Sequence, residues 1–358
     1  MFNIGIIGCG YWGPNLLRNF NSLEGCRMKM ACDLDADRLA HMKSLYSSIE
    51  TRNDYNQVIN SSEIDAVVVA TPVRFHYEIA KASLEAGKHV FIEKPMASSV
   101  EECMELIEIA ENRKLIILVG HTFIYSPAVR KIREIVSHGD LGEIQYISAR
   151  RLNLGLFQTD INVTWDLAPH DISIILYVMG KNPVSVNCHG KAHVNRNIED
   201  VTSMVLNFEN GAFATVQSSW LDPNKVREMT FVGSKRMLVY NDVEPIEKIK
   251  IYDKRVETPP HYDTFAEFHY SYHYGDMYAP YLKQYEPLKI ECQHFIDCIK
   301  SGKKPETSGY DGYRVVEILE ASLESLRREG AKILIGESKL QRPTRLQSVA
   351  NLSAARAI

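Results

Sequence analysis

Ile4-Gly5-Ile6-Ile7-Gly8-Cys9-Gly10-Tyr11-Trp12-Gly13 is the stretch that decides the fold. An apolar run feeds straight into glycines at 8, 10 and 13, and an amphipathic stretch follows. A strand that ends in such a loop and passes into a helix is a place to lay a dinucleotide pyrophosphate. Gly8 permits the tight turn. Gly10 lets the backbone approach the pyrophosphate, and Gly13 permits close packing of helix on strand. Tyr11 and Trp12 ride on the same loop. The helix N-terminus then faces the phosphates, and Pro14 suits its first turn.

Outward from this stretch the pattern repeats. Apolar runs at Met28–Cys32, Ala66–Ala70, Val90–Ile92 and Leu115–Val119 alternate with helical stretches near 14–22, 36–46, 75–86 and 99–112. Strands buried on both faces read as continuous apolar runs, so this is a parallel sheet with helices on both sides. Gly87 marks a helix C-terminus just before a strand. The fold class is therefore α/β, with a Rossmann-type domain over about 1–122.

From about 140 the pattern changes. Ile144–Arg151, Val184–Val194, Val201–Phe208, Ala212–Trp220, Glu228–Val232 and Lys235–Tyr240 are strand-like, and turn signals separate some of them. They predict a C-terminal α+β domain, 123–338, built on an open and mostly antiparallel sheet. One helix interrupts it, from about Asp166 to Met179, ending at Gly180. Residues 287–300 and 309–328 read as helices that pack back on the body. Residues 261–285 hold seven tyrosines and little periodicity, as in a substrate lid or a subunit-contact loop. Residues 339–358 read as a disordered tail or peripheral arm.

Size and charge narrow the function. A chain of 358 residues, 45% hydrophobic and 24% charged, has the balance of a soluble globular enzyme. A net charge of −4 with scattered basic residues gives no general pull toward nucleic acid or an anionic membrane. No apolar run approaches the ~20 residues of a membrane span, and no signal peptide is expected before the first strand. Seven cysteines without Cys-x-x-Cys spacing imply no zinc cluster and no disulfide framework. Buried reduced thiols and a cytoplasmic location are the expectation.

The strand exits carry the chemistry. Asp33 ends the second strand, where a carboxylate accepts hydrogen bonds from an adenosine ribose and repels a 2′-phosphate. NAD is favoured, while Arg38 nearby keeps NADP open. Asp33 as a helix N-cap is the bland alternative. Thr71, Pro72 and His76 follow the Ala66–Ala70 strand and line the ligand crevice, unless His76 is a surface residue of a first helical turn. Glu93 and Lys94 leave a later strand of the same sheet and face the redox ring. Asp166 and His170 are four apart, on one helix face. Hydride transfer from a secondary alcohol needs a proton acceptor and a group that stabilises the reacting oxygen. A histidine oriented by a carboxylate is a serviceable base, and Lys94 can be the second polar group. Asp171 reads as structural. Arg151, Lys225 and Arg227 sit at strand ends suited to phosphate, as does Arg150. Solvated strand-end charge is their bland reading.

Gly8-Cys9-Gly10-Tyr11-Trp12-Gly13, Ala70-Thr71-Pro72, Glu93-Lys94-Pro95 and Asp166-x-x-x-His170 resemble, in order, the motifs of the glucose–fructose oxidoreductase / inositol dehydrogenase family. The resemblance covers about residues 1–330. It implies Lys94 as catalytic lysine, often with a cis bond to Pro95, His170 as base and Asp166 as its partner. It also implies an open second sheet whose free face makes homodimers or homotetramers. Ala168-Pro169 departs from the smaller or glycine-containing approach common in the family, which bears on where His170 sits. Within the family, Trp165–Asp171, Ser219–Arg227 and Glu291-Cys292-x-His294-Phe295 are most similar to UDP-N-acetylglucosamine and UDP-N-acetylglucosaminuronate 3-dehydrogenases of bacterial surface-polysaccharide synthesis. Those make a 3-keto sugar for a partner aminotransferase. A free sugar or cyclitol dehydrogenase is the alternative substrate class. A non-catalytic dinucleotide sensor is a third reading, against which intact Lys94 and His170 argue.

Overall fold

The computed structural model describes residues 1–257 and 271–336. Six strands form the first sheet: β1 (Phe2–Ile7), β2 (Cys26–Cys32), β3 (Glu50–Arg52), β4 (Ala66–Val69), β5 (His89–Glu93) and β6 (Ile117–Gly120). They are parallel and lie in the order β3-β2-β1-β4-β5-β6. The order reverses between β1 and β4, which opens a crevice at their carboxyl ends. Between the strands run α1 (Gly13–Asn21), α2 (Ala36–Leu45), α3 (Tyr55–Ile59), α4 (His76–Glu85) and α5 (Val100–Arg113). All four expected helices are present within a residue or so, and the one-turn-plus α3 is additional. Its Val58 packs where Gly5 leaves room for it.

Alternation along β4 explains why this sheet needs helices on both faces. Ala66 and Val68 face one core, together with Ile4, Ile6, Phe91 and Leu118. Val67 and Val69 face the other, with Ile7, Val90, Ile92 and Val119. The second core runs on without a break into the next domain, through Ile147, Trp165 and Ile172. The first is closed by a helix from far along the chain, α8 (Pro287–Ser301). Its Phe295 meets Phe20 and Phe91 edge-on, with ring centroids 6.1 and 5.8 Å away, the arrangement that aromatic quadrupoles favour. Chain order and packing therefore part company, since a late helix completes the first body.

The second sheet has nine strands. β7 (Ile144–Leu152), β8 (Ser185–Lys191), β9 (Val201–Asn207), β10 (Phe213–Ser219), β11 (Val226–Gly233) and β12 (Met237–Asn241) match the expected strands. β13 (Ile249–Glu257), β14 (Ser271–Tyr278) and β15 (Ile333–Leu334) extend them, giving β14-β13-β12-β11-β7-β10-β9-β8-β15. Every pairing is antiparallel except β7 with β10. The tyrosine-rich segment reads as a substrate lid or a subunit-contact loop. Its described part contains the terminal strand β14, whose side chains are nearly all exposed. A strand with solvent on both sides carries no apolar alternation, which is why the pattern hid it. Residues 261–270 of that segment, and the tail beyond 336, lie outside the described residues.

Three helices complete the second body: α6 (Pro127–Ser137), α7 (Val163–Met179) and α9 (Gly309–Arg327). α7 starts three residues before the expected Asp166, because Asn162 accepts a hydrogen bond from the Trp165 amide and caps it. It ends at Gly180, whose φ of 61° is the left-handed stop expected there. All seven cysteines are buried and free. No helix among the described residues is long and apolar enough to cross a membrane.

Phe295→Ala should destabilise the protein by about 3–5 kcal/mol, the usual cost of deleting a buried aromatic ring. Equilibrium denaturant unfolding checks it, and the loss should fall on the transition of the first domain, whose core this helix closes.

Candidate active site

The glycine loop leaves β1 at the switch point. Gly8 has φ of 100°, and a Cβ there would lie 2.5 Å from the Ala70 carbonyl oxygen. A Cβ on Gly13 would lie 2.1 Å from the Gly8 carbonyl oxygen. No residue but glycine fits either place. α1 opens at Trp12 without a side-chain cap, so its first amides remain available for an anion. Tyr11 stands in solvent and Trp12 is partly exposed. Across the crevice the Thr71 hydroxyl is buried without a partner. This cradle suits a dinucleotide pyrophosphate.

Asp33 does two jobs at the adenosine end. One oxygen accepts the Cys9 amide at 2.7 Å and the other the Asp35 amide at 2.9 Å. It thus ties the glycine loop to the exit of β2. The N-cap of α2 is Asp35, not Asp33, since Asp35 accepts from the amides of Asp37 and Arg38. Arg38 reaches back to within 3.7 Å of Asp33 and lies over Gly10 at the same distance from a Cβ built there.

His76 was expected to line the cofactor crevice. It is instead buried, and its two ring nitrogens lie 2.7 Å from the Thr71 carbonyl oxygen and 2.9 Å from the Pro95 carbonyl oxygen. Burial pushes its pKa down, so the neutral ring donates to one carbonyl at a time. It clamps the exits of β4 and β5 together. The Lys94–Pro95 peptide between them is cis, as the family resemblance implied.

Lys94 leaves β5 and points at the first turns of α7. Its Nζ donates to the Asp166 carbonyl oxygen at 2.8 Å, with the Asp166 carboxylate 3.9 Å away. Burial lowers its pKa. The Asp166 and Glu93 carboxylates oppose that, and Arg151 adds to it. Glu93 is buried beside it and is pushed up to about 7, by burial against the Lys94 charge, the Lys94 amide and Trp12.

The expected Asp166–His170 couple is not formed. The Asp166 carboxylate accepts the Trp220 indole N–H at 3.0 Å, and His170 Nδ1 is buried with no partner. Four residues apart places both on one helix face, but Asp166 lies on the Lys94 side of that face. Pro169 stands inside the helix between them, so the departure noted in the sequence is carried without ending α7. His170 is set by packing, with its ring edge-on to Phe123 at 5.1 Å. Burial first, then the charges of Lys94 and Arg151, hold its pKa well below 6.5. A neutral imidazole in this position can accept a proton.

Arg151 is removed from the phosphate candidates. It is buried and pairs with Asp171 through Nε at 2.8 Å and a terminal nitrogen at 2.9 Å, with its guanidinium stacked over Phe123. A buried fork of this kind is a structural pair, and it commits Asp171 to Arg151. Arg150 falls on the opposite sheet face, 3.9 Å from Glu228. Arg227 pairs in register with Arg151 on the neighbouring strand, so it faces α7 as well. It is half-buried and 3.7 Å from Asp242, and its charge is felt at His170. Lys225 is exposed on the loop before β11.

Residues at the exit of β6 went unread. Thr122 donates to the fully buried Glu291 of α8 at 2.7 Å, and His121 is buried beside it. The rule that found Thr71 and Lys94, a polar residue just past an apolar run, also fits the Leu115–Val119 run. Phe123 and Trp220 had no such signal. Among the described residues, no cluster of ligand type holds a metal.

The family described as "Oxidoreductase family, NAD-binding Rossmann fold" matches residues 2–121, and "GFO/IDH/MocA C-terminal domain" matches residues 129–239. A myo-inositol 2-dehydrogenase of Thermotoga maritima is 24% identical, over 91% of this chain and 96% of its own. A UDP-N-acetylglucosamine 3-dehydrogenase of Acidithiobacillus ferrooxidans is 27% identical, over 87% and 93%. The structure of a levoglucosan dehydrogenase in complex with NADH and levoglucosan superposes with a TM-score of 0.79 at 21% identity, covering 94% of this chain and 100% of that one.

Asp33→Ala should narrow the gap in kcat/KM between NAD and NADP. Loss of the Cys9 tie weakens both cofactors alike, so their ratio isolates the ribose contact. An unchanged ratio would remove Asp33 from cofactor selection.

Proposed function

The chain belongs to the oxidoreductase family that joins an NAD-binding Rossmann fold to the GFO/IDH/MocA C-terminal domain, and on that premise we propose that it oxidises a secondary hydroxyl, at C3, of a UDP-sugar such as UDP-N-acetylglucosamine or its uronate. The observation that carries the dehydrogenase reading is the contact of Lys94 from the first domain with Asp166 of α7, on the helix that also carries His170, whose ring feels the Lys94 charge. NAD, when bound, supplies the acceptor for the hydride from carbon.

The remaining work falls to the chain's own groups. His170 stays neutral under the charges of Lys94 and Arg151 and takes the hydroxyl proton. Lys94, held by the Asp166 carbonyl, presents its remaining N–H bonds to the reacting oxygen. Trp220 fixes the Asp166 carboxylate, and so fixes Lys94 at one remove. Arg227 faces the same side as His170, and Lys225 stands exposed near it. Both suit the diphosphate of a nucleotide. The similarity to a UDP-N-acetylglucosamine 3-dehydrogenase supports this substrate class. The product, a keto sugar, is of the class that an aminotransferase consumes. A free cyclitol is the second reading, favoured by the comparable similarity to a myo-inositol 2-dehydrogenase and by the commitment of Arg151 to Asp171. Self-association is also proposed. Tyr146 and Phe213 stack at 5.6 Å on the outer face of the second sheet, partly exposed.

Lys94→Ala and His170→Ala should each lower kcat by on the order of 10²–10⁴-fold while leaving NAD binding, read by fluorescence titration, nearly unchanged. The wild-type kcat/KM should hold as pH falls through 6.5, because the base is depressed below that value. It should decline only at lower pH, and that decline should vanish in His170→Ala. Rates close to wild type in either variant would sink the pair.

The substrate class is tested by offering UDP-N-acetylglucosamine, its uronate and myo-inositol at equal concentration and following NADH absorbance. The UDP-sugars should react faster, and Arg227→Gln should raise their KM with little change in NAD affinity. Equal turnover of myo-inositol would replace the nucleotide-sugar reading with the cyclitol one.

A further inference from the structure

A cavity of about 280 Å³ lies between α6, the end of α7 and the start of α9, away from the glycine loop. Three cationic side chains line it, each from a different element: Arg133 on α6, Lys181 just past α7, and Arg314 on α9. None of the three is in an ion pair among the described residues. The two carboxylates in the lining are already engaged. Glu306 accepts from Arg130 at 2.7 Å. Asp311 accepts from the amide and hydroxyl of Ser308 in the capping box of α9. Arg133 is held over the Tyr177 ring at 4.1 Å, which fixes the plane of the guanidinium and leaves its N–H edge free.

The buried side of the cavity supplies the second observation. His121 lines it, is 2% exposed, and has neither ring nitrogen in a hydrogen bond. A neutral imidazole always carries one N–H donor. A buried donor without a partner is destabilising, and an acceptor seated in the cavity removes that cost. Three unpaired cations, against two carboxylates that are each engaged elsewhere, around a buried unpartnered donor are an arrangement that a small oxyanion satisfies.

We propose that this cavity is a second ligand site, separate from the crevice at Lys94, that binds a dianionic phosphate group, either inorganic phosphate or a phosphate monoester. Arg133 and Arg314 supply paired donors, Lys181 a point charge and His121 the donor at the base. The site lies on the catalytic stripe of α7. Ser173 and Tyr177, both in the lining, follow His170 at three and seven residues, on the same helix face. At 1.5 Å per residue, Tyr177 is about 10 Å from His170 along the axis. Of the surrounding charges His121 feels the Asp311 carboxylate first and then Lys94, and His121 in turn bears on His170. A dianion bound beside His121 therefore reaches the proton acceptor through one intermediate ring.

The test uses protein saturated with NAD, so that the glycine loop is already filled. Inorganic phosphate and, separately, glucose 6-phosphate are titrated by calorimetry in a buffer free of oxyanions. Saturable binding of at least one probe is expected, with the better probe identifying the free or esterified form. Arg133→Gln/Arg314→Gln should weaken it at least tenfold. Both residues are exposed, so the variant should melt like the wild type, and its melting curve is recorded beside the titration. Lys225→Gln/Arg227→Gln, which strips cations from the crevice, should leave the binding unchanged. Three results overturn the site: no saturable binding of either probe, binding that survives the first double variant, or binding lost only in the second.

Discussion

A lysine ammonium inside a protein must find oxygen atoms, and the placement of Lys94 follows from that need. Its partners are the backbone carbonyl and the carboxylate of Asp166, at 2.8 and 3.9 Å. These belong to the first turns of α7, in the other domain. The contact therefore joins the two domains at the site. Neither domain alone holds a proton acceptor opposite the lysine. Removing one partner of a buried charge commonly costs ~3–5 kcal/mol, so the rest of the site is arranged to keep this one intact. The Trp220 indole holds the carboxylate, Asn162 caps the helix that presents it, and His76 clamps the strand exit that presents the lysine.

Around this contact, burial governs the charge state of nearly every titratable group. It pushes Glu93 up to about 7 and Glu291 well above the carboxylate range. It pushes His121 down to about 4 and His170 well below 6.5. At neutral pH His121 and His170 are thus neutral and Glu93 stands near its midpoint, with the Arg151–Asp171 fork closing on itself. A site so depleted of competing charge makes the few that remain count for more, because the local dielectric is low.

Much of this was legible in the amino-acid order. Strands buried on both faces must be apolar throughout, so β1, β2, β4, β5 and β6 stood out as runs. The exits of those strands must be polar where they line a crevice, so Thr71, Glu93 and Lys94 could be named. What failed shared one cause. Arg151, His76 and the Asp166–His170 couple were each given a role from position along the chain, and each side chain is claimed by a partner distant in sequence. Arg151 goes to Asp171 on α7. His76 goes to carbonyls on two strand exits. Asp166 goes to Trp220 and Lys94. The strand β14 was hidden for a different reason, since an exposed terminal strand has no apolar rhythm to show.

The sequence by itself determined the doubly wound first domain, the open second sheet, the glycine cradle and the residues able to do redox chemistry, because backbone geometry and burial impose local periodicities that one chain displays. Tertiary structure decided which of those residues meet. Only packing could bring Phe295 of a late helix to close the first core, turn Asp166 from His170 toward Lys94, and consign Arg151 to a buried fork while leaving Arg227 facing the site. Hydrogen bonds and ion pairs are short-ranged, and a polar side chain takes the partner that the fold carries within about 3 Å, however many residues away that partner stands in the chain.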